Sequence, residues 1–261
     1  MEFSISEVLP KWFNQFTVND VHGQNRLVYN DQWIKNQQNL ITLGCQLGAT
    51  SSVDLVGNVC LEFSGQTDHT NPIMTGSHMD TVAMGGKYDG LYGILGGLCA
   101  IQQTIAKYGS PHKPLRLISF SEEEGSRFPA TFTGSRYFTQ HTTPTNIVDA
   151  TGQPFDIARQ NALKKLKPLS DHYIPYFSQA QTFTELHIEQ GPQLEKTHQS
   201  IGLVKGNVAQ QRFTVTVSGL ANHACTTPMN NREDAVEEGC RLINKIYQLA
   251  HHNDPNLLLT I

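Results

Sequence analysis

Residues 72–125 constrain the fold more than any other part of this chain. PIMTGSH (72–78) is a short apolar run ending in a histidine. GLYGILGGLCAIQQTIAKYG, which starts just after Asp89, reads as a long apolar helix whose small residues allow close packing on a sheet. KPLRLISFSEEEG (113–125) begins as a buried strand and ends in acids. A strand, an apolar helix and a second strand in succession can bury their apolar surfaces together only by layering helix on sheet.

The rest of the chain extends that pattern. Two helices are expected at 4–16 and 30–47, the first with Trp12, Phe13 and Phe16 on one face. A turn follows, and VGNVCLEF (56–63) alternates like a strand. The segment 142–181 is polar and turn-rich, with a short helix at 155–166. FTELHIEQG (183–191) is a further strand ending in polar groups. Strand and helix alternate up to about residue 207, which predicts an α/β layered catalytic domain with a central mixed sheet over 1–207. The pattern then changes. SIGLVKG and QRFTVTVSG are alternating strands, and 231–252 is an amphipathic helix with Ala235, Cys240, Ile243, Tyr247 and Ala250 near one face. NDPN is a turn, and LLLTI reads as a strand beginning. Residues 208–261 are therefore expected to be the first, incomplete part of a smaller α+β dimerisation or lid domain.

Composition narrows the function classes. The chain has 261 residues and a net charge of −4 with its basic residues scattered, so nothing suggests a nucleic-acid partner. Lys164, Lys165 and Lys167 form the one basic cluster and read as a solvated helix face. Five cysteines, an odd number with no CxxC pair, favour a reduced, cytoplasmic protein over a disulfide scaffold. No stretch approaches the roughly 18 apolar residues of a membrane span, and no signal pattern opens the chain.

Three of the apolar strands end in residues that bind metals or move protons. The first ends in His78, with Asp80 and Asp89 following. The second ends in Glu122, Glu123 and Glu124. The third contains His187, followed by Glu189 and Gln190. Ligands in α/β sheets gather at the carboxyl ends of strands, so these endings can converge without sequence proximity. Imidazole with carboxylate suits Zn²⁺ and accepts Mn²⁺, Co²⁺ or Ni²⁺. Asp80, on the same side of an extended strand as His78, can accept the other imidazole N–H and fix the ring. Each ending also has a plainer reading: a polar strand end, a solvated acidic turn, a hydrogen-bonded core histidine. The chemistry alone leaves a metal site and these plainer readings both open.

The motifs themselves go further. SHMDTVAMGGKYDG (77–90) resembles the metal-binding signature of the M20 dinuclear metallohydrolases. SEEEGSRFPATFTGSR (121–136), ELHIEQGP (185–192) and NHACTTPMNNREDA (222–235) resemble a narrower branch, the hydantoinase/carbamoylase amidases. That branch includes N-carbamoyl-L-amino-acid hydrolase, allantoate amidohydrolase and β-ureidopropionase. The resemblance runs from near the N-terminus to the end of the chain. It implies two divalent metal ions, with His78, Asp89, Glu124 and His187 as ligands and Asp89 as the bridge. It implies Glu123 as general base and Gln190 as a substrate contact. His223 would reach across a dimer interface to polarise the substrate carbonyl. Glu122 receives no role and is expected to be a solvated or structural acid. The implied reaction is hydrolysis of the carbamoyl C–N bond of a small ureido substrate, N-carbamoyl-L-amino acids first among them, by a homodimer formed through the small domain.

Two departures stand out. Family members commonly have Gly where Cys225 stands, and GQR where this chain has AQQR (209–212). Family chains are also considerably longer, and the part that would carry the last His ligand and the groups gripping the substrate carboxylate has no counterpart here. The expectation is an N-terminal fragment or a truncated form that binds metal weakly and has little or no amidase activity. The rivals are another dinuclear hydrolase, an aminopeptidase or deacylase, and a non-catalytic remnant acting as a binding or dimerisation module.

Overall fold

The computed structural model describes residues 4–18, 20–67, 70–253 and 257–261. The chain divides into two units, Met1–Ser200 and Ile201–Ile261.

The first unit is built on a six-stranded mixed sheet. Its strands are β1 (Thr50–Val53), β2 (Val59–Phe63), β3 (Ile73–His78), β4 (Leu115–Phe120), β5 (His172–Tyr173) and β6 (Thr182–Thr184), in the order β5-β1-β2-β4-β3-β6. Helices α1 (Ile5–Phe16), α2 (Asp31–Gln46), α3 (Leu91–Tyr108) and α5 (Phe155–Leu166) contribute to the main core, while α4 (Thr133–Gln140) lies in the chain between β4 and α5. Successive strand residues face opposite sides of the sheet. Val59, Leu61, Phe63 and Leu117 accordingly join the main core with Trp12, Phe16, Trp33, Leu40, Leu95 and Leu98. Cys60, Met74 and Ile118 form a smaller cluster with Phe177 on the other side. Each fully buried Leu contributes roughly 1.5–3 kcal/mol, so the larger cluster carries most of the fold.

Local chemistry sets the helix ends. The Asn30 side chain accepts the Trp33 amide at 2.7 Å and starts α2. α3 stops at Gly109, whose φ is +78°. The expected close packing of α3 is present. A Cβ at Gly93 would lie 2.7 Å from the Cβ of Ser77, and one at Gly97 would lie 3.0 Å from the Thr75 side chain, both on β3.

Pairing directions position the site. β3 and β4 are parallel neighbours joined through α3, and His78 is level with Phe120. β6 pairs with β3, also in parallel, from Ile73↔Thr182 to Thr75↔Thr184. His187, three residues beyond the last pair, brings its ring to within 5.8 Å of the His78 ring, centroid to centroid. The carboxyl ends of β4, β3 and β6 thus lie side by side.

The structure departs from the sequence expectations in several places. β1, β5 and α4 were not foreseen. β1 is polar, and its buried Ser51 is stabilised from far along the chain: its amide and hydroxyl donate to Asp171 Oδ2 at 2.7 and 2.8 Å. β6 is shorter than 183–191, because after Thr184 the chain leaves the ladder. In the second unit the strands expected in 200–206 and 211–219 do not form, nor does one at 257–261. A hairpin with no third layer buries neither face, and Leu203, Val204, Phe213 and Val215 are exposed. α7 (Ala235–Asn253) begins later than residue 231, because Asp234 Oδ1 accepts the amides of Val236 and Glu237 and caps it there. Ile243 and Tyr247 on its apolar face remain partly exposed. Of the expected NDPN turn (253–256), Asn253 ends α7 and residues 254–256 lie outside the described residues. Lys164 and Lys165 close α5. Lys165 meets the exposed Asp31 at 2.9 Å, while Lys167 lies 3.5 Å above the Tyr173 ring. All five cysteines are free, and no helix among the described residues is long and apolar enough to cross a membrane.

Candidate metal centre

His78, the last residue of β3, is 4% exposed. Its Nδ1 lies 3.0 Å from the Asp80 carbonyl oxygen. A carbonyl can only accept, so the ring proton sits on Nδ1 and the Nε2 lone pair faces the other way. That lone pair looks toward Asp89 Oδ1 at 3.8 Å and Glu123 Oε2 at 4.0 Å. His187 repeats the arrangement: Nδ1 lies 2.9 Å from the Ile188 carbonyl and Nε2 lies 3.4 Å from Asp89 Oδ1. The two imidazoles stack with centroids 5.8 Å apart. Two sets of side chains could each hold a cation, His78–Asp89–His187 and His78–Glu123–Glu124, with His78 common to both.

This convergence sets acceptors against acceptors. Two imidazole nitrogens and the Asp89 and Glu123 carboxylates share a small volume, and protons or a metal cation among them relieve the repulsion. Burial disfavours the His78 imidazolium, but the carboxylates of Asp80, Glu123 and Asp89 outweigh it and push the ring up to about 9. Burial raises Glu123 against the opposing pull of His78, and raises Glu124 to about 7. The donor set of imidazole nitrogen and carboxylate oxygen fits divalent Zn²⁺, Mn²⁺, Co²⁺ or Ni²⁺.

Asp80 does more than the sequence suggested. Its carbonyl, not its carboxylate, takes the closest imidazole contact; Oδ1 stands 3.6 Å from His78 Nδ1. The carboxylate instead accepts the Glu123 amide at 3.0 and 3.1 Å and the Glu124 amide at 3.0 Å. These amides have left the β4 ladder, and Asp80 is their acceptor. One residue therefore orients the histidine and pins the acidic turn beside it. Gln190, expected at the substrate, donates to Asp89 Oδ2 at 2.8 Å. Glu189 caps the short helix α6 (Gln193–Lys196), accepting the Gln193 and Leu194 amides.

Glu122 is buried, not solvated. Its φ is +48°, Oε1 accepts a long bond from the Phe128 amide at 3.5 Å, and Oε2 has no partner among the described residues. Burial, reinforced by Asp80, pushes its carboxyl up to about 9. Gly90 is required where it stands. Its φ is +61°, and a Cβ there would overlap the His78 carbonyl oxygen and lie 2.7 Å from two atoms of the His78 ring.

Two supporting residues escaped the sequence analysis. Asn58 is fully buried; its Oδ1 accepts the Ser121 amide at 2.9 Å, and its Nδ2 donates to Asp54 and to the Gly134 carbonyl. It thereby fixes the residue just before the acidic turn. Arg26 is also fully buried and bonds the carbonyls of Met79 and Asp89 at 3.0 and 3.2 Å. Its only sequence signal is its place beside Leu27 and Val28, apart from other charges.

His223 belongs to the second unit. Its Nδ1 accepts the Cys225 amide at 3.2 Å, which leaves the proton of a neutral ring on Nε2. Because Cys225 contributes its backbone there, its departure from the usual glycine does not prevent the bond. Arg232 braces the same turn through the carbonyls of Thr227 and Ala224, at 3.0 and 2.6 Å.

Comparisons with known proteins agree on one family. The model of Peptidase family M20/M25/M40 matches residues 74–257. The chain is 36% identical to an allantoate amidohydrolase of Escherichia coli over 98% of its own length and 62% of that protein's. It is 34% identical to an N-carbamoyl-L-amino-acid amidohydrolase of a Pseudomonas species over 81% of this chain and 51% of that one. Among solved structures, a hydantoinase/carbamoylase family amidase from Burkholderia ambifaria superposes with a TM-score of 0.74 at 29% identity, covering 98% of this chain and 62% of that one. The chain thus spans somewhat under two thirds of the length of the relatives it matches. The family match takes in β3, the acidic turn, His187 and His223, and the chain belongs to peptidase family M20/M25/M40.

Proposed function

We propose that this chain supplies the metal-binding part of an amidohydrolase that cleaves the carbamoyl C–N bond of small ureido compounds. The observation that carries this is the cluster of imidazole nitrogens and carboxylates at the carboxyl ends of β3, β4 and β6, in which the Nε2 atoms of His78 and His187 both face Asp89 Oδ1. His78, Asp89, Glu124 and His187 would hold two divalent ions. When bound, such ions acidify a coordinated water and polarise a carbonyl.

The remaining chemistry falls to the chain's own side chains. Glu123, half-buried and held at its backbone by Asp80, would take a proton from water and return it to the departing nitrogen. His223, with its proton on Nε2, has the tautomer needed to donate to a developing oxyanion. Gln190 exchanges its bond to Asp89 for one to substrate. Allantoate is the first substrate to test, since allantoate amidohydrolases of Escherichia coli and Bacillus subtilis match over 98% and 96% of this chain. N-carbamoyl-L-amino acids are the second, from the Pseudomonas relative.

Uptake of Co²⁺ by the wild-type chain, lost in His78→Ala and Asp89→Ala, is the direct test, and a chain that takes up none refutes the proposal. In turnover assays, ammonia release from ureido compounds should exceed amino-acid release from dipeptides. Glu123→Gln should lower that release at least a hundredfold. The reverse substrate preference would make the protein a peptidase instead.

A further inference from the structure

We propose that Arg26 is a positioning residue for the metal centre, its guanidinium spanning the loop from Met79 to Asp89 and fixing the two ligands, His78 and Asp89, that flank that loop. The proposal rests on the metal-binding function argued above.

The geometry is specific. Arg26 lies between α1 and α2, is fully buried, and donates from Nε to the Met79 carbonyl and from Nη2 to the Asp89 carbonyl. Met79 directly follows one ligand, and Asp89 is the other. The neighbouring backbone runs along the same loop. The Arg26 amide donates to Thr81 Oγ1 at 3.0 Å, and the Thr81 amide donates to the Arg26 carbonyl at 3.1 Å. Gln24 and Gly85 exchange two backbone bonds, at 2.9 and 2.8 Å. Segment 24–26 is thus stitched to the loop at its start, its middle and its end.

A buried guanidinium is expensive to desolvate and persists only where its surroundings compensate. Here the compensation lies at the candidate centre: two carbonyls by direct bond and the charges of Asp80 and Asp89 nearby, with Nη1 left without a partner among the described residues. A planar fork can hold two separated carbonyls in one fixed geometry, whereas an ammonium is a point donor on a flexible stem. Charge alone would serve electrostatics; the fork is needed only if the spacing of Met79 and Asp89 matters. Spacing matters to ligands, because coordination tolerates errors of only about 0.2 Å in distance.

Arg26→Met and Arg26→Lys in the full chain test this with two readouts. The first is Co²⁺ titration followed by its visible absorption. The second is amide hydrogen exchange of the metal-free chain. In Arg26→Met, Co²⁺ affinity should fall at least tenfold. Amides of residues 81–92 should exchange at least tenfold faster, while those of β1 and β2 stay within twofold. Arg26→Lys, which keeps the charge and loses the fork, should show the same loop-confined change and recover little Co²⁺ affinity. Full recovery by lysine, or faster exchange spread evenly over the sheet, would overturn the assignment. If Arg26→Met does not fold, the lysine variant decides alone on the same criteria. A wild-type chain that binds no Co²⁺ would refute the metal function, while the exchange comparison would still decide whether Arg26 orders the loop.

Discussion

Replacing Gly90 by alanine probes the centre without touching a ligand. Two costs are readable. The first is backbone strain: Gly90 has φ +61° and ψ −47°, outside the regions open to residues with a Cβ, at a cost of about 1–3 kcal/mol. The second is overlap, since the new methyl would lie 2.7 Å from two His78 ring atoms and run into the His78 carbonyl. Neither His78 nor β3 can retreat, because the ring is buried and the strand is paired on both sides. Overpacking of this kind costs a further 1–3 kcal/mol or so. Gly109→Ala supplies the control. It also has a positive φ, +78°, but a Cβ there meets nothing within 4 Å, so it carries strain without overlap. Urea unfolding of both variants should show Gly90→Ala the less stable by about 1–3 kcal/mol. Co²⁺ affinity should fall in Gly90→Ala alone, because the methyl displaces the His78 ring. Equal stabilities for the two variants, or wild-type Co²⁺ affinity in Gly90→Ala, would refute the claim that His78 packs on bare backbone.

Two further outcomes follow from the polar core. The Asp149 carboxylate, despite its burial, is held down to about 2 by bonds from Thr151, Gln153 and Arg127. A carboxyl lowered in the fold stabilises it above its ordinary value of 3.8, and that contribution disappears as pH falls from there through about 2. Wild type should therefore lose about 1 kcal/mol more than Asp149→Asn between those limits, after screening by solvent is allowed for; parallel acid-unfolding curves would contradict it. Asn58→Ala leaves the Ser121 amide and the Gly134 carbonyl without their side-chain partner and should cost about 2–4 kcal/mol in thermal unfolding, more than one ordinary hydrogen bond. A loss below 1 kcal/mol would mean that other groups, not Asn58, hold the exit of β4.

The parts legible in the sequence are those whose signal is local. α5 has the expected bounds, Phe155–Leu166, because its apolar spacing lies within twelve residues. β3, α3 and β4 were legible for the same reason, and the histidines and acids at strand ends stood out by type. The family was legible from contiguous motifs. The rest depended on distant partners. β1 is held by Asp171, which no window around Thr50 contains. The Asp80 carboxylate was read as a partner for the neighbouring histidine, whereas its bonds go to amides more than forty residues on. Arg26 looked like one scattered base among others, since only the fold brings Met79 and Asp89 to it. In the second unit alternation was read as strand, but alternation marks a face to bury, and residues 201–219 bury none within their own unit.

The place of β6 has a thermodynamic consequence. Among the described residues it is the last strand of the sheet, tied to β3 by three residue pairs. Short edge elements open at far lower free energy than a protein's centre. His187 is thus carried by a flap, while His78 is carried by an interior strand. An ion shared between them would act as a latch. Its apparent affinity would equal its intrinsic affinity scaled by the fraction of molecules in which the flap is closed. Binding would in turn deepen the protection of Thr182–Thr184 by linkage. The strength with which this chain holds metal would therefore report how often one edge of its sheet is shut.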